Sequence, residues 1–160
     1  MKMYNRIDNL KKLGEYRPTV SVILINKNNK ILIVNSTRDK KSWYFPQGGI
    51  KKSEKISETI KRELKEELNV NYNEYKITNT QVYEDKLDIN FTNNRGRGYS
   101  KGKAFFFVSG KYLGNGNLIP KEDEILNYKW VTYDECKQLF NKNNIKKNQI
   151  LKNSLKNLAQ

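Results

Sequence analysis

From Gly48 to Val70 the chain reads GGIKKSEKISETIKRELKEELNV. Ile56 through Leu68 fit a helix turning roughly 100° per residue. Ile56, Ile60, Leu64 and Leu68 then form one apolar stripe, each four residues from the last. On the same wheel Glu67 projects between Ile56 and Ile60, inside the stripe. Glu63 falls beside Ile56, and Glu66 about 60° further round. Carboxylates therefore gather at the edge of a face that must be buried. Like charges at i,i+3 and i,i+4 repel, and a desolvated carboxylate without a partner is costly. A hard divalent cation, which takes oxygen ligands, relieves both. Glu- and Lys-rich helices are usually solvated faces, so the position against the apolar stripe and the residues before the helix carry the weight here. Ser53 is the expected N-cap of this helix.

The spacing of the stretch is Gly48, five residues, Glu54, seven residues, then Arg62-Glu63-Leu64, Lys65, Glu66-Glu67, Leu68, Asn69, Val70. It resembles the Nudix box, G-x5-E-x7-R-E-U-x-E-E-x-G-U with U aliphatic. One defining position departs: Asn69 stands where the family has a glycine at positive φ, and Asn is the next most tolerant residue for such a cap. The resemblance implies magnesium or manganese held by Glu63, Glu66 and Glu67, with the Gly48 carbonyl as a further ligand. It implies an Arg62–Glu54 pair that fastens the loop to the helix. Metals in this chemistry neutralise a diphosphate and activate a water for attack on phosphorus, and a nearby carboxylate takes the proton.

The flanks narrow the resemblance. Trp43-Tyr44-Phe45-Pro46-Gln47-Gly48-Gly49-Ile50 and Tyr16-Arg17-Pro18-Thr19-Val20 resemble segments of the bacterial RNA 5′-pyrophosphohydrolase and diadenosine polyphosphate hydrolase subgroup. That resemblance implies a phosphate contact for Arg17, which otherwise reads as a surface arginine. Ser100 to Phe106 (SKGKAFF) resembles the basic segment lining the phosphate site, through Lys101 and Lys103, although exposed hairpin lysines fit equally. Glu124, six residues before Trp130, is in the place of a fourth acidic metal ligand, with Glu122 and Asp123 as neighbouring alternatives. Glu66 and Glu124 are the candidate general bases. Arg38, with Arg95 and Arg97, is a candidate for contact with an RNA substrate.

Composition bounds the rest. At 160 residues the chain suits one domain. Hydrophobic residues make up only 36%, yet 10 Tyr and 6 Phe supply bulky core material. With no histidine, imidazole-based triads and zinc sites are excluded. The lone Cys136 forms no intrachain disulfide, so a reduced cytoplasm is the expected location. No segment suggests a signal peptide or a membrane span. A net charge of +14, from 31 Lys+Arg against 17 Asp+Glu, favours phosphate-rich ligands such as RNA ends. A lysine-, asparagine- and isoleucine-rich composition would give the same charge without such a partner.

Along the chain, residues 1–15 read as a helical or irregular lead with Ile7, Leu10 and Leu13 at helical spacing. Strands are expected at Thr19–Asn26, Ile31–Asn35, Tyr75–Tyr83, Leu87–Phe91, Lys103–Ser109 and Tyr128–Val131. Residues 92–102 form a basic, Gly-rich loop. Helices are expected at Tyr133–Phe140 and Lys146–Leu158, the latter amphipathic and packed on the domain of residues 16–142. The pattern predicts an α/β protein with a mixed β-sheet; the resemblance implies the Nudix α/β/α sandwich as a single domain. The expected substrate is the 5′-tri- or diphosphate end of RNA. A dinucleoside polyphosphate and a catalytically weak RNA- or nucleotide-binding module are the alternatives. Nothing in the sequence speaks to an activating protein.

Overall fold

In a computed structural model, residues 3–79, 82–91 and 96–158 are described. The long first strand, β1 (Tyr16–Ile25), runs parallel to β7 (Gly102–Tyr112), from Tyr16 opposite Gly102 to Ile25 opposite Lys111. The antiparallel strands β2 (Ile31–Ser36) and β4 (Gln47–Gly49) flank the other edge of β1. The short β3 (Trp43–Tyr44) and β8 (Ile125–Val131) pair with β2. Finally, β5 (Tyr75–Ile77) and β6 (Tyr83–Asp88) both pair antiparallel with β7. The sheet is therefore mixed.

Its central strands are apolar on both sides because both faces are covered. Val20, Val22 and Leu24 join Leu32, Val34, Ala104, Phe106 and Val108 in one core layer. That layer packs against α1 (Met3–Leu13) and α2 (Ile56–Leu68) through Ile7, Leu10, Ile60, Leu64 and Leu68. The alternate residues Ile23, Ile33, Phe105 and Phe107 face the other way. They pack against Cys136 and Phe140 of α3 (Tyr133–Phe140) and against Ile150, Leu151, Leu155 and Leu158 of α4 (Ile145–Leu158). This is the expected α/β/α sandwich of a single domain. Cys136 is fully buried, and burial pushes its thiol up to about 12, which suits a packing role.

Two expected strands end differently. Thr78 and Asn79 both donate their N–H to the Ser109 carbonyl, at 3.1 and 3.3 Å. Two donors on one acceptor break the ladder, so Tyr75–Tyr83 is not one strand: β5 ends at Ile77, and pairing resumes at Tyr83. Likewise β6 stops at Asp88 and leaves Ile89–Phe91 outside the sheet.

Helix α2 begins one residue after Lys55, not after Ser53. Ser53 sits in a turn closed by the Glu54 N–H on the Lys51 carbonyl at 3.0 Å, so its hydroxyl caps nothing. At the other end Asn69 adopts φ 54, ψ 36, the left-handed cap that the missing glycine would have supplied. The Asn69 and Val70 N–H groups satisfy the Lys65 and Leu64 carbonyls. Asn69→Gly is expected to leave thermal stability nearly unchanged. Asn69→Ala should cost about 1 kcal/mol, since only the alanine is strained there; chemical denaturation would measure both.

Candidate active site

Gly48 and Gly49 end β4 and enter the loop to α2. A Cβ on Gly48 would lie 2.1 Å from the Glu63 carboxylate carbon, and one on Gly49 would lie 2.0 Å from the Arg17 guanidinium. A Cβ at either position would displace the end of that side chain, so the two glycines let the backbone run close to both an acid and a base. The two residues line a cavity of about 440 Å³. Its lining carries an acidic group, Glu63, Glu66, Glu67 and Glu124, and a basic group, Arg17, Arg38, Arg97, Lys103 and Lys147, together with Arg62 and Lys51. A second, more open depression of about 570 Å³ lies beside Glu58, Lys61 and Tyr72 and shares only Arg62 and Glu66 with this cavity.

Arg62 braces the acidic wall. Its Nε and Nη2 grip both Glu54 oxygens at 2.6 and 2.8 Å, and Nη2 also donates to the Gly49 carbonyl at 3.0 Å. Its Nη1 donates to Glu63 and stands 3.6 Å from Glu66. Glu54 accepts in addition from the Lys51 N–H at 2.9 Å. Arg62 thus fastens loop to helix, as the resemblance implied. The Arg62 guanidinium holds the Glu54 carboxyl down at about 2.

Glu67 is the innermost acid. Burial first, then the neighbouring carboxylates of Glu63 and Glu124 within hydrogen-bond reach, push it up to about 9. Glu66, by contrast, is 54% exposed, matching its place farther round the helix. Glu124 reaches the site because the chain before it is sewn to the end of α2. The Ile119 and Lys121 N–H groups donate to the Leu68 and Glu67 carbonyls at 3.1 and 2.8 Å. These bonds satisfy helix-end carbonyls that would otherwise be orphaned. On its far side Thr37 donates its N–H to the Glu124 carbonyl at 3.1 Å and its hydroxyl to the Asp123 carbonyl at 3.0 Å. Of the three acidic neighbours, Glu124 alone lines the cavity; Glu122 and Asp123 do not.

Among the described residues no three acidic side chains already stand as a closed metal cage. Glu63 is turned onto Arg62 and Glu124 onto Lys121 at 2.9 Å. The donor set nevertheless fits a hard cation: several carboxylates, one of them buried among like charges, and a glycine that leaves room beside them.

On the cationic wall, Arg17 and Lys103 come from neighbouring parallel strands and sit directly opposite one another in register. Burial, followed by repulsion from Arg17, Lys147 and Arg38, pushes the Lys103 ammonium down to about 8. Arg38 enters from the loop after β2. Lys101 is elsewhere: it precedes β7, its ammonium pairs with Glu15 at 3.1 Å, and it does not line the cavity. The Lys101 and Gly102 N–H groups both donate to the Glu15 carbonyl, so the alternation of β7 does not extend back to it. Lys147 was not foreseen. It belongs to α4, which carries four lysines, and nothing in the sequence singles one of them out. Its Nζ lies 4.9 Å from the Tyr44 ring centroid. Arg95 lies outside the described residues.

The NUDIX domain matches residues 15–153. An RNA pyrophosphohydrolase of a Nitratiruptor species is 30% identical over 128 residues, covering 75% of this chain and 80% of that protein. The RNA pyrophosphohydrolase of a Marinomonas species is 40% identical over 62 residues, which span 39% of this chain and 38% of that relative. For the Teredinibacter turnerae protein of the same name the span is 36% of its length. A Caenorhabditis elegans Ap4A hydrolase shares the fold, with a TM-score of 0.68 over 88% of this chain and 96% of that one at 14% identity. The matched domain runs from the start of β1 into α4 and takes in the whole acid-and-base cavity, so this chain belongs to the Nudix family.

Proposed function

We propose that this protein is a divalent-cation-dependent pyrophosphohydrolase that converts the 5′-tri- or diphosphate end of RNA to a 5′-monophosphate. The observation that carries this reading is one cavity beside Gly48 and Gly49 lined by four carboxylates, Glu63, Glu66, Glu67 and Glu124, and by seven cations. A phosphoanhydride is a polyanion whose reacting bond needs both.

Mg2+ or Mn2+ would be held by Glu63, Glu66, Glu67, Glu124 and the Gly48 carbonyl, and when bound supplies charge neutralisation and a more acidic water. Arg17, Arg38 and Lys103 bind and orient the phosphates. Binding a phosphate favours the charged state of Lys103, which burial and its cationic neighbours oppose. Glu66 is the base that takes the water's proton, because it is exposed and only distantly paired with Arg62. Glu124 is the second candidate, and it must first leave Lys121. Arg62 and Glu54 hold the loop and the helix in register throughout.

RNA is favoured over a dinucleoside polyphosphate by the walls themselves. Tyr44, the aromatic ring among the cavity-lining residues, already carries Lys147 on its face, so it offers no bare platform for an adenine. The RNA pyrophosphohydrolase relative that covers most of this chain points the same way. The test is a side-by-side assay in magnesium with 5′-triphosphorylated RNA and diadenosine tetraphosphate at equal concentration. Faster appearance of 5′-monophosphate RNA ends is the expected result; faster cleavage of the dinucleotide would overturn the RNA reading.

A further inference from the structure

Arg97 occupies a backbone position that a side chain of its size rarely takes. It has φ 48 and is followed by Gly98 at φ 90. The Tyr99 N–H closes the turn on the Gly96 carbonyl at 2.9 Å. Two successive positive φ values across such a closure make a mirror-image β-turn, where Asn, Asp or Gly belongs at the first central position. A left-handed arginine costs about 1 kcal/mol or more. Such strain persists only when the surroundings fix it.

Here they do. The Ser100 N–H donates to the Gly14 carbonyl at 2.9 Å, and the Lys101 N–H donates to the Glu15 carbonyl at 2.7 Å. The turn is thereby stitched to the chain just ahead of Arg17. At its entry, a Cβ on Gly96 would lie 2.4 Å from the Tyr99 carbonyl oxygen, so the turn is closely packed. Arg97 does not spend this geometry on a protein carboxylate. It lines the same cavity as Arg17 and has no ion pair among the described residues. Burial, then the Arg97 charge, lowers the affinity of Arg17 for its own proton. Arg17 is half-buried and Arg97 is exposed on its strained turn; brought together at one cavity, the two charges repel unless an anion lies between them.

We infer that Arg97 is a substrate-binding residue that closes with Arg17 on one phosphate of a linear polyphosphate, and that its strained turn is retained for this contact. The inference rests on the proposed function only for the identity of the ligand, an RNA 5′-polyphosphate. Guanidinium forks suit phosphate oxygens better than an ammonium does. Arg97→Lys should therefore bind less tightly than the parent and more tightly than Arg97→Asn.

The experiment measures calorimetric binding of inorganic tripolyphosphate, together with thermal melting, for the parent, Arg97→Lys, Arg97→Asn and Arg97→Gly. Arg97→Asn and Arg97→Gly suit the turn, so both should melt at or above the parent temperature. Both should bind tripolyphosphate about tenfold or more weakly. Parent-like binding by the Asn and Gly variants overturns the inference, and so does a lowered melting temperature in both, which would make Arg97 a structural residue. Failure of the substrate reading looks different: the parent turns over neither RNA ends nor diadenosine tetraphosphate, while the dependence of tripolyphosphate binding on Arg97 remains.

Discussion

Glu67→Gln is expected to lower turnover of triphosphorylated RNA in magnesium by roughly 10²–10³-fold, comparable to loss of a single charge-stabilising group in other active sites. The same substitution should make the metal-free protein more stable at pH 8. Both effects come from one position. Glu67 lies at the buried end of the acidic wall, where a cation would be most enclosed and an unpaired charge most costly. Glutamine keeps the shape and one oxygen while removing the charge. Turnover with magnesium and melting in a chelator, on the same preparations, measure the two.

The pH dependence follows from the sign of the shift. The folded-state pKa of Glu67 stands at about 9, above the ordinary 4.5. A raised carboxyl favours the folded state while protonated, and that contribution is lost as pH climbs from 4.5 toward 9. The chelated protein should therefore melt several degrees lower at pH 8 than at pH 5.5. Magnesium should add more stability at pH 8, where it binds the ionised form without competing with a proton. In Glu67→Gln the melting temperature should be nearly flat across this window. A parent protein with equal melting temperatures at both pH values in chelator would refute the buried, mutually repelling carboxylates described here.

Helix α2 and its acids were legible from sequence because two periodicities coincide. An apolar residue every fourth position fixes which face is buried, and that fixes the order of burial of the glutamates. Glu67 is innermost and Glu66 exposed, as the wheel places them. Asn69 was legible because few residues tolerate a left-handed cap. Arg17 and Lys103 were reached only through resemblance; the parallel pairing of β1 with β7 that sets them side by side joins residues far apart in the chain. Lys101 was misplaced for a local reason. The resemblance set it beside Lys103 in the segment lining the phosphate site, but it precedes β7, which begins at Gly102, and its ammonium pairs with Glu15. Lys147 and the Thr37 contacts left no signal, since a lysine in a lysine-rich helix and a threonine in a polar loop are ordinary. Arg97 was visible as a basic residue in a Gly-rich loop, but its backbone conformation was not.

Arg62→Ala should be the most damaging change outside the carboxylates. It is expected to cost about 3 kcal/mol of stability near neutral pH and roughly 10²-fold in turnover. The stability figure follows from Glu54, a largely buried partner whose folded pKa of about 2 lies below the ordinary 4.5. A depressed carboxyl stabilises the fold above pH 4.5, and that contribution is lost as pH falls toward 2. The parent should therefore lose stability steeply through that acid range, while Arg62→Ala, already lacking the contribution, should show a shallower acid limb. The loss of turnover has a separate origin. Without Arg62 the Gly49 carbonyl and the Glu63 carboxylate lose a common donor, and the Gly48–Gly49 segment is no longer held to α2. Arg62→Lys separates the two effects. One ammonium can keep part of the Glu54 pairing, but it cannot span both Glu54 oxygens, the Gly49 carbonyl and Glu63 together. It should recover more stability than turnover. Equal recovery of both would mean that Arg62 serves the fold alone and that the geometry of the glycine pair does not limit the reaction.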